Sequence, residues 1–175
     1  MEHLIHIKEW AMNAHAIVNH EYDNMPYSYH LKAAADMGMK FIHHIPFIDR
    51  DSVIAALYCH DIIEDTRQSY NDLLIITKDT LSANIVFAVT NDKGKTRAER
   101  AGNKYYTGIR FQLYASFVKL CDRIANATYS KLSGSNMFKK YKKENEKFLA
   151  EVMTDAQRIE YKDMINHLEG IFNES

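Results

Sequence analysis

The sequence predicts an all-α fold, and three observations support this prediction. Apolar residues recur at steps of three and four along most of the chain, as they do on one face of an α-helix. Six Gly and two Pro among 175 residues are too few for the frequent tight turns of an all-β fold. No repeat, low-complexity tract or linker interrupts the pattern, so residues 1–175 are predicted to form a single domain with its own core.

Apolar stripes, caps and breaks place the predicted helices. The Asn24-Met25-Pro26 segment separates the first helix from the second. Ser69 followed by Asp72 resembles a capping box, and Asp79 can cap the next helix. Residues 84–90 are rich enough in β-branched side chains to form a strand instead. The first helix carries the stripe Leu4, Ile7, Ala11, Ala14 and Val18, and the others are predicted at residues 27–39, 51–65, from 69, 79–88, 97–106, 111–129, 136–153 and 156–172.

Charge and cysteine usage exclude several classes of protein. The net charge is −1, so no strong field favours nucleic acid or an anionic membrane as a partner. No apolar run approaches the roughly 20 residues that a membrane span needs, and the N-terminal residues lack the apolar stretch of a signal peptide. Cys59 and Cys121 form no CxxC pair and are predicted to lie in the core, which favours a reducing cytoplasm.

Ionisable side chains occupy positions of the third helix where apolar ones are expected. Its apolar stripe continues by steps of three and four onto His60 and Asp61, and then onto Glu64 and Asp65. One short helix would thus direct an imidazole and three carboxylates to nearly the same place. Buried carboxylates repel each other and lose their hydration. A bound divalent cation would remove this conflict, so the sequence predicts a metal site.

Two other helices show the same substitution of polar for apolar residues. Asp122 lies on the stripe formed by Phe111, Ala115, Val118 and Ala125, with Asn126 one turn further on the same face. His30 is in register with Ala33, Ala34 and Met37 of the second helix. Two His and two Asp from three helices make a mixed nitrogen and oxygen site, which suits Mn, Fe or Zn better than Ca or Mg.

Each of these residues alone has an ordinary structural explanation. A lone buried His is usually part of the core, and an Asp can pair with a nearby Arg such as Arg123. The adjacent His60-Asp61 pair, with two more acids one turn later, is harder to explain by packing. His15 is predicted to pack behind the ligands. The remaining histidines have no such neighbours in the sequence and are predicted to lie at the surface or in loops: His3, His6, His20, His43, His44 and His167.

The predicted ligands also carry a family resemblance. His30, His60-Asp61 and Asp122 follow the H…HD…D order of the HD-domain phosphohydrolases, whose fold is a single helical bundle. The string HDIIEDT at residues 60–66 resembles the signature of the hydrolase domain of RelA/SpoT proteins and of their stand-alone small relatives, including the metazoan SpoT homologues. Further landmarks follow in the right order: Ala14-His15, Pro26-Tyr27, Val89-Thr90 and residues 119–126.

The resemblance implies a reaction and a set of roles. The family uses Mn²⁺ to hydrolyse the 3′-pyrophosphate of ppGpp and pppGpp, so the expected partner is a small nucleotide. Glu64 and Asp65 would activate or orient the attacking water, and Asn126 would contact the nucleotide. The metal would be held by His30, His60, Asp61 and Asp122. Basic residues that would contact the phosphates follow Val89-Thr90, namely Lys93, Lys95, Arg97 and Arg100.

The sequence departs from the family pattern at positions that bind substrate. Relatives usually carry an Arg-Lys pair shortly before the Pro-Tyr, where this chain has the acidic stretch of residues 20–23. Thr128 stands where an Arg is common. The alternative is therefore an HD phosphohydrolase acting on a nucleoside monophosphate, NADPH, or a cyclic or oligonucleotide signal. A non-catalytic sensor is a third possibility, against which the Glu64-Asp65 pair argues.

Overall fold

A computed structural model describes residues 2–91 and 102–173, and these residues form the predicted all-α fold. A short antiparallel pair, Glu21–Tyr22 with Met25–Pro26, follows the first helix. Two 3-10 turns, Ile42–His44 and Phe47–Asp49, precede the third. The described α-helices are α1 Glu2–Ile17, α2 Ser28–Lys40, α3 Arg50–Cys59, α4 Ile62–Asp65, α5 Tyr70–Thr77, α6 Thr80–Val89, α7 Asn103–Phe111, α8 Ala115–Leu132, α9 Met137–Val152, α10 Asp155–Glu160 and α11 Lys162–Asn173.

Side-chain caps begin α5 and α6 as the sequence predicts. Ser69 accepts a hydrogen bond from the Asp72 backbone, and the Asp72 side chain accepts one from the Ser69 backbone, which completes a capping box. Asp79 accepts bonds from the backbone N–H groups of Leu81 and Ser82. The possible strand at residues 84–90 is wrong, because α6 continues to Val89. The cap and the burial of its apolar face outweigh the β propensity of these residues.

Helix α8 lies at the centre of the core. It packs against α2, α3, α6, α7, α9 and α11, and most of its residues are buried. Helix α2 packs closely on both α8 and α3. Gly38 permits the close approach of α2 to α3, because a Cβ at this position would collide with the Leu57 side chain. Side chains on α2, α3 and α8 can therefore meet.

Four predicted helices have different boundaries in the structure. The helix expected at residues 97–106 lies partly outside the described residues, and its described part, α7, continues to Phe111. The helix expected at residues 51–65 is interrupted at His60 and Asp61, where Asp61 has φ −102° and ψ 2°. The helix expected from residue 111 begins only after Tyr114, which has a left-handed φ of 62°. Phe111 is 77% exposed, so its assignment to the buried stripe was wrong. The last helix is divided into α10 and α11.

Two further predictions concern the core and the membrane. Cys59 and Cys121 are buried and unpaired with each other, as expected for core residues. Within residues 2–91 and 102–173, no helix combines the length and the apolar character that crossing a membrane requires.

The N-cap of α6 should contribute measurably to stability. Burial alone would raise the pKa of Asp79, but hydrogen bonds from Ser82 and Leu81 hold this pKa below its usual value. Asp79→Ala should therefore lower the free energy of unfolding by about 1 kcal/mol at neutral pH. The difference should be complete above the unfolded pKa of about 4 and should disappear as pH falls through the lowered folded pKa. Chemical denaturation at pH 7 and pH 3 measures the free energy of unfolding of the wild type and of the variant, and Glu169→Ala, at an exposed position, is the control. If Asp79→Ala lowered the free energy of unfolding equally at both pH values, the ionised Asp79 carboxylate would not be the N-cap.

Candidate metal centre

His30, His60 and Asp122 meet in the core where three helices cross. His30 lies on α2, His60 immediately follows α3, and Asp122 lies on α8. All three are buried, and one ligand atom from each lies within 4.8 Å of the others. These three residues could hold a metal ion, as the sequence predicts.

The distances between the donor atoms match those of a metal shell. The Nε2 atoms of His30 and His60 are 3.1 Å apart. Asp122 Oδ1 lies 3.3 Å from His30 Nε2 and 3.7 Å from His60 Nε2. Ligands about 2.0–2.2 Å from one metal ion lie about 2.8–3.6 Å apart when they are neighbours in a tetrahedral or octahedral shell. The donor set and its spacing therefore fit a transition-metal ion.

Asp61 approaches the same point from the break between α3 and α4. Its Oδ2 lies 2.9 Å from His60 Nε2 and 3.5 Å from His30 Nε2. Tyr27 donates a hydrogen bond from its hydroxyl to this oxygen at 2.5 Å. The break in the helix thus turns Asp61 toward both imidazoles, and Tyr27 fixes its carboxylate.

The hydrogen bonds of His60 leave the correct nitrogen for a metal. His60 Nδ1 donates to the carbonyl of Leu57 at 2.8 Å, so in the neutral ring Nε2 carries the lone pair. Such a carbonyl partner commonly fixes the tautomer of a metal-binding histidine. His30 Nδ1 is buried and has no hydrogen-bond partner among the described residues, so its bonding is confined to Nε2.

Electrostatics at the cluster require positive charge. Burial alone would lower the pKa of both imidazoles, but Asp122 and Asp61 raise the pKa of His30 to about 9 and also raise that of His60. Burial alone would raise the pKa of the two carboxyl groups, but the imidazoles hold the pKa of Asp61 low, and Lys119 together with the imidazoles holds that of Asp122 low. Because these interactions favour protonated imidazoles, a metal ion would have to compete with protons for the same nitrogens.

Asn126 and Tyr22 hold this cluster from the solvent side. Asn126 Nδ2 donates to Asp122 Oδ1 at 2.5 Å, and Tyr22 donates from its hydroxyl to Asn126 Oδ1 at 2.8 Å. The Tyr22 ring also stacks on His30, with ring centroids 4.8 Å apart. Tyr22 belongs to the acidic stretch of residues 20–23, so this stretch positions the ligands themselves.

Glu64 and Asp65 lie outside the buried cluster, and their predicted inward orientation was wrong. Both residues are exposed, because the helix breaks after His60 and their faces no longer continue the stripe of α3. Asn91 donates to both carboxylate oxygens of Glu64 at 2.9 Å. Asp65 faces another way, with its Oδ2 3.9 Å from His20 Nδ1. The two acids therefore reach the cluster from different sides.

A cleft of about 290 Å³ opens beside the cluster. Asp122 forms part of its wall, and Glu64, Asn126 and Lys119 line it as well. Aromatic side chains, including Tyr105 and Tyr141, line the remainder. A ligand in this cleft would contact a metal-binding carboxylate, a second carboxylate, a cation and aromatic rings.

Two cations of this cleft were missed as functional residues. Lys119 Nζ lies 3.0 Å from Asp122 Oδ2, and its side chain is only 18% exposed. Burial alone would lower its pKa, but Tyr105, Asp122 and Asp61 raise it well above the usual value. The Arg123 guanidinium lies over the rings of Phe148 and Tyr141. Lys119 precedes Asp122 by three residues on a helix, a spacing that could have revealed the pair.

The other predicted contact residues have different outcomes. Asn126 lines the cleft, and its contact with a nucleotide stays a prediction. The predicted phosphate-binding residues lie outside the described residues: Lys93, Lys95, Arg97 and Arg100. His15 is buried behind the site as expected, where its Nδ1 shares a 2.9 Å hydrogen bond with His20 Nδ1. His20 lies in a loop between α1 and the short antiparallel pair, as predicted, and its ring stacks on Tyr27 with centroids 3.8 Å apart.

No protein-family model matches the chain, and no curated protein matches it. The functional assignment therefore depends on the chemistry of the site and on the motif resemblance.

Metal retention should depend on the buried imidazoles. His60→Gln should abolish retention of a tightly bound divalent ion, because it removes one nitrogen from the shell. Metal affinity of the wild type should rise with pH, since the ion must displace protons from His30 and His60. Elemental analysis after dialysis measures retention, and circular dichroism checks the fold.

The exposed His6→Gln variant is the matched control and should retain the ion. Full metal content in folded His60→Gln protein would show that this histidine is not a ligand.

Proposed function

We propose that this protein is a metal-dependent phosphohydrolase that acts on a phosphorylated nucleotide. One observation carries the proposal. A buried cluster of imidazoles and carboxylates borders a cleft that also contains Glu64 and Lys119. A metal-binding cluster, an additional carboxylate and a cation are the groups that hydrolysis of a phosphate ester or anhydride requires.

The metal would be held by four side chains. His30, His60 and Asp122 are three of the proposed ligands, because one ligand atom from each lies within 4.8 Å of the others, and Asp61 is the fourth because its Oδ2 approaches both imidazoles. The mixed donor set favours Mn, Fe or Zn, and the resemblance to HD-domain enzymes favours Mn²⁺. When bound, such an ion lowers the pKa of water and stabilises negative charge on phosphoryl oxygens.

Glu64 and Asp65 are the proposed proton acceptors. Glu64 lies in the cleft and is held by Asn91, so its carboxylate is oriented toward any ligand there. Although Asp65 is exposed as a residue, its side chain is only 31% exposed, and this partial burial, together with the charges of Asp61 and Glu64, raises its pKa to about 7. A carboxyl group with this pKa can both accept and return a proton near neutral pH, which suits general acid–base catalysis.

The preferred substrate is the 3′-pyrophosphate of ppGpp or pppGpp. Lys119 and Arg123 provide positive charge for phosphates, while Tyr105 and Tyr141 provide apolar surface for a nucleoside. The HDIIEDT string supports this choice through its resemblance to the RelA/SpoT hydrolase domain.

One observation favours another phosphorylated nucleotide as the alternative substrate. The segment that carries an Arg-Lys pair in relatives contains Glu21, Tyr22 and Asp23 here. Tyr22 is hydrogen-bonded to Asn126, and Asp23 accepts a hydrogen bond from the Tyr129 hydroxyl at 2.7 Å. This segment therefore offers acceptors, rather than cations, to the part of a ligand that extends beyond Asn126.

Removing the proposed proton acceptors should separate catalysis from metal binding. Glu64→Gln and Asp65→Asn should keep the fold and the metal, because neither residue belongs to the buried cluster. At least one of them should lower kcat by about 100-fold or more, the usual scale for a positioned acid or base. Asp36→Asn, on the exposed side of α2, is the control and should turn over normally. Wild-type kcat in both variants would exclude them from the mechanism.

A panel of nucleotides with Mn²⁺ should identify the substrate. Release of pyrophosphate from ppGpp should give the highest kcat/KM, and a chelator should abolish it. A kcat/KM about tenfold higher, equivalent to about 1.4 kcal/mol, for a nucleoside monophosphate, NADPH, or a cyclic or oligonucleotide would exclude ppGpp as the preferred substrate. It would still support the assignment as a phosphohydrolase. Binding without turnover of any of them would indicate a sensor.

A further inference from the structure

A second group of metal-binding side chains lies at the surface, away from the cleft. His43 and His44 are consecutive residues of the 3-10 turn Ile42–His44, and Asp163 lies in the first turn of α11. His43 Nε2 lies 3.1 Å from Asp163 Oδ2, and His44 Nε2 lies 2.7 Å from Asp163 Oδ1. One ligand atom from each of the three lies within 4.8 Å of the others.

In this group, the His44 side chain is mostly buried, whereas the other two side chains are open to solvent. The His44 side chain is 12% exposed, and the Tyr161 ring meets it edge-on at 5.3 Å. The side chains of His43 and Asp163 are 60% and 47% exposed. The two imidazole rings lie 4.2 Å apart, which brings both Nε2 atoms to the same carboxylate. An ion can therefore enter from solvent and find three donors already close together.

The charge of the group also suits a cation. Burial alone would raise the pKa of Asp163, but hydrogen bonds with His44, Met164 and His43 hold this pKa below its usual value. The carboxylate is therefore ionised at neutral pH, as a metal ligand must be. The nearby cation Lys40 is engaged by His167, with its Nζ 3.1 Å from His167 Nε2.

We propose that His43, His44 and Asp163 form a second, surface-exposed site for a divalent transition-metal ion. Two imidazoles and one carboxylate, with water at the remaining positions, favour Cu²⁺, Ni²⁺ and Zn²⁺ over Mn²⁺. The site joins the segment after α2 to the start of α11, which lies 120 residues later in the chain. It is independent of the phosphohydrolase proposal, because none of its ligands belongs to the buried cluster or the cleft.

Copper and nickel titrations test this site on the whole protein. Ni²⁺ and Cu²⁺ bind imidazole and carboxylate ligands more tightly than Mn²⁺ does and can also enter the buried centre, so the wild type is compared with His60→Gln, which lacks one imidazole of that centre. Calorimetry with Ni²⁺ should reveal one further ion, beyond any at the buried centre, in both proteins. The electron paramagnetic resonance spectrum of Cu²⁺ bound to His60→Gln should show coupling to two imidazole nitrogens. Removing a residue that only orients a metal ligand typically weakens metal binding about 10- to 100-fold. Asp163 is proposed to bind the ion directly, so Asp163→Asn should weaken binding at least tenfold. The double variant His43→Gln/His44→Gln should abolish binding.

Two controls separate this site from other histidines. His6→Gln should leave the further ion in place, and so should His60→Gln, which acts on the buried centre only. The proposal is overturned if the wild type binds no further ion, or if the folded His43→Gln/His44→Gln protein binds it unchanged. Loss of the further ion in His60→Gln would assign the signal to the buried centre and would also overturn the proposal.

Discussion

The structure depends on the close approach of ionisable side chains in the middle of the helical bundle. Two imidazoles and the Asp122 carboxylate are buried where α2, α3 and α8 cross, with Asp61 beside them. Taking such charges out of water costs several kcal/mol per ion, and apolar residues of similar volume commonly give equal or greater stability. The cluster is therefore not explained by stability. It requires compensating positive charge, which a bound metal ion could supply.

The surrounding fold provides the geometry that this compensation needs. Gly38 lets α2 approach α3, so the imidazoles of His30 and His60 come within hydrogen-bond distance. The interruption after Cys59 turns Asp61 toward those imidazoles and leaves Glu64 in the cleft. A continuous helix through these residues would have aligned all three carboxylates on one face. The interruption thus separates Asp61, which lies beside the buried imidazoles, from Glu64, the proposed proton acceptor in the cleft.

The buried imidazoles and the Asp122 carboxylate could be predicted from the sequence because helical periodicity indicates which positions are buried. His30, His60 and Asp122 each occupy a position that an apolar residue should fill, and the structure buries all three. Helical periodicity no longer predicts which side chains face the core once the helix is interrupted, which explains why the orientation predicted for Glu64 was wrong. It also contains no information about contacts between residues that are distant in the sequence. His43 and His44 meet Asp163 only through tertiary packing, so no local pattern distinguished them from other surface histidines.

The balance of charge around the cleft connects metal binding to substrate binding. The charged residues that line the cleft are two carboxylates, Glu64 and Asp122, and two cations, Lys119 and Arg123, and Lys119 is paired with Asp122. A polyanionic nucleotide would therefore meet little net positive charge from the lining of the cleft itself. A divalent ion at the buried centre would add positive charge beside Asp122, so metal binding and the binding of an anionic substrate would be thermodynamically coupled. By the same reciprocity, a bound phosphate strengthens metal binding. Burying this cluster costs free energy in the protein without a metal, and the same cluster would contribute to the affinity for the proposed substrate once a metal is bound.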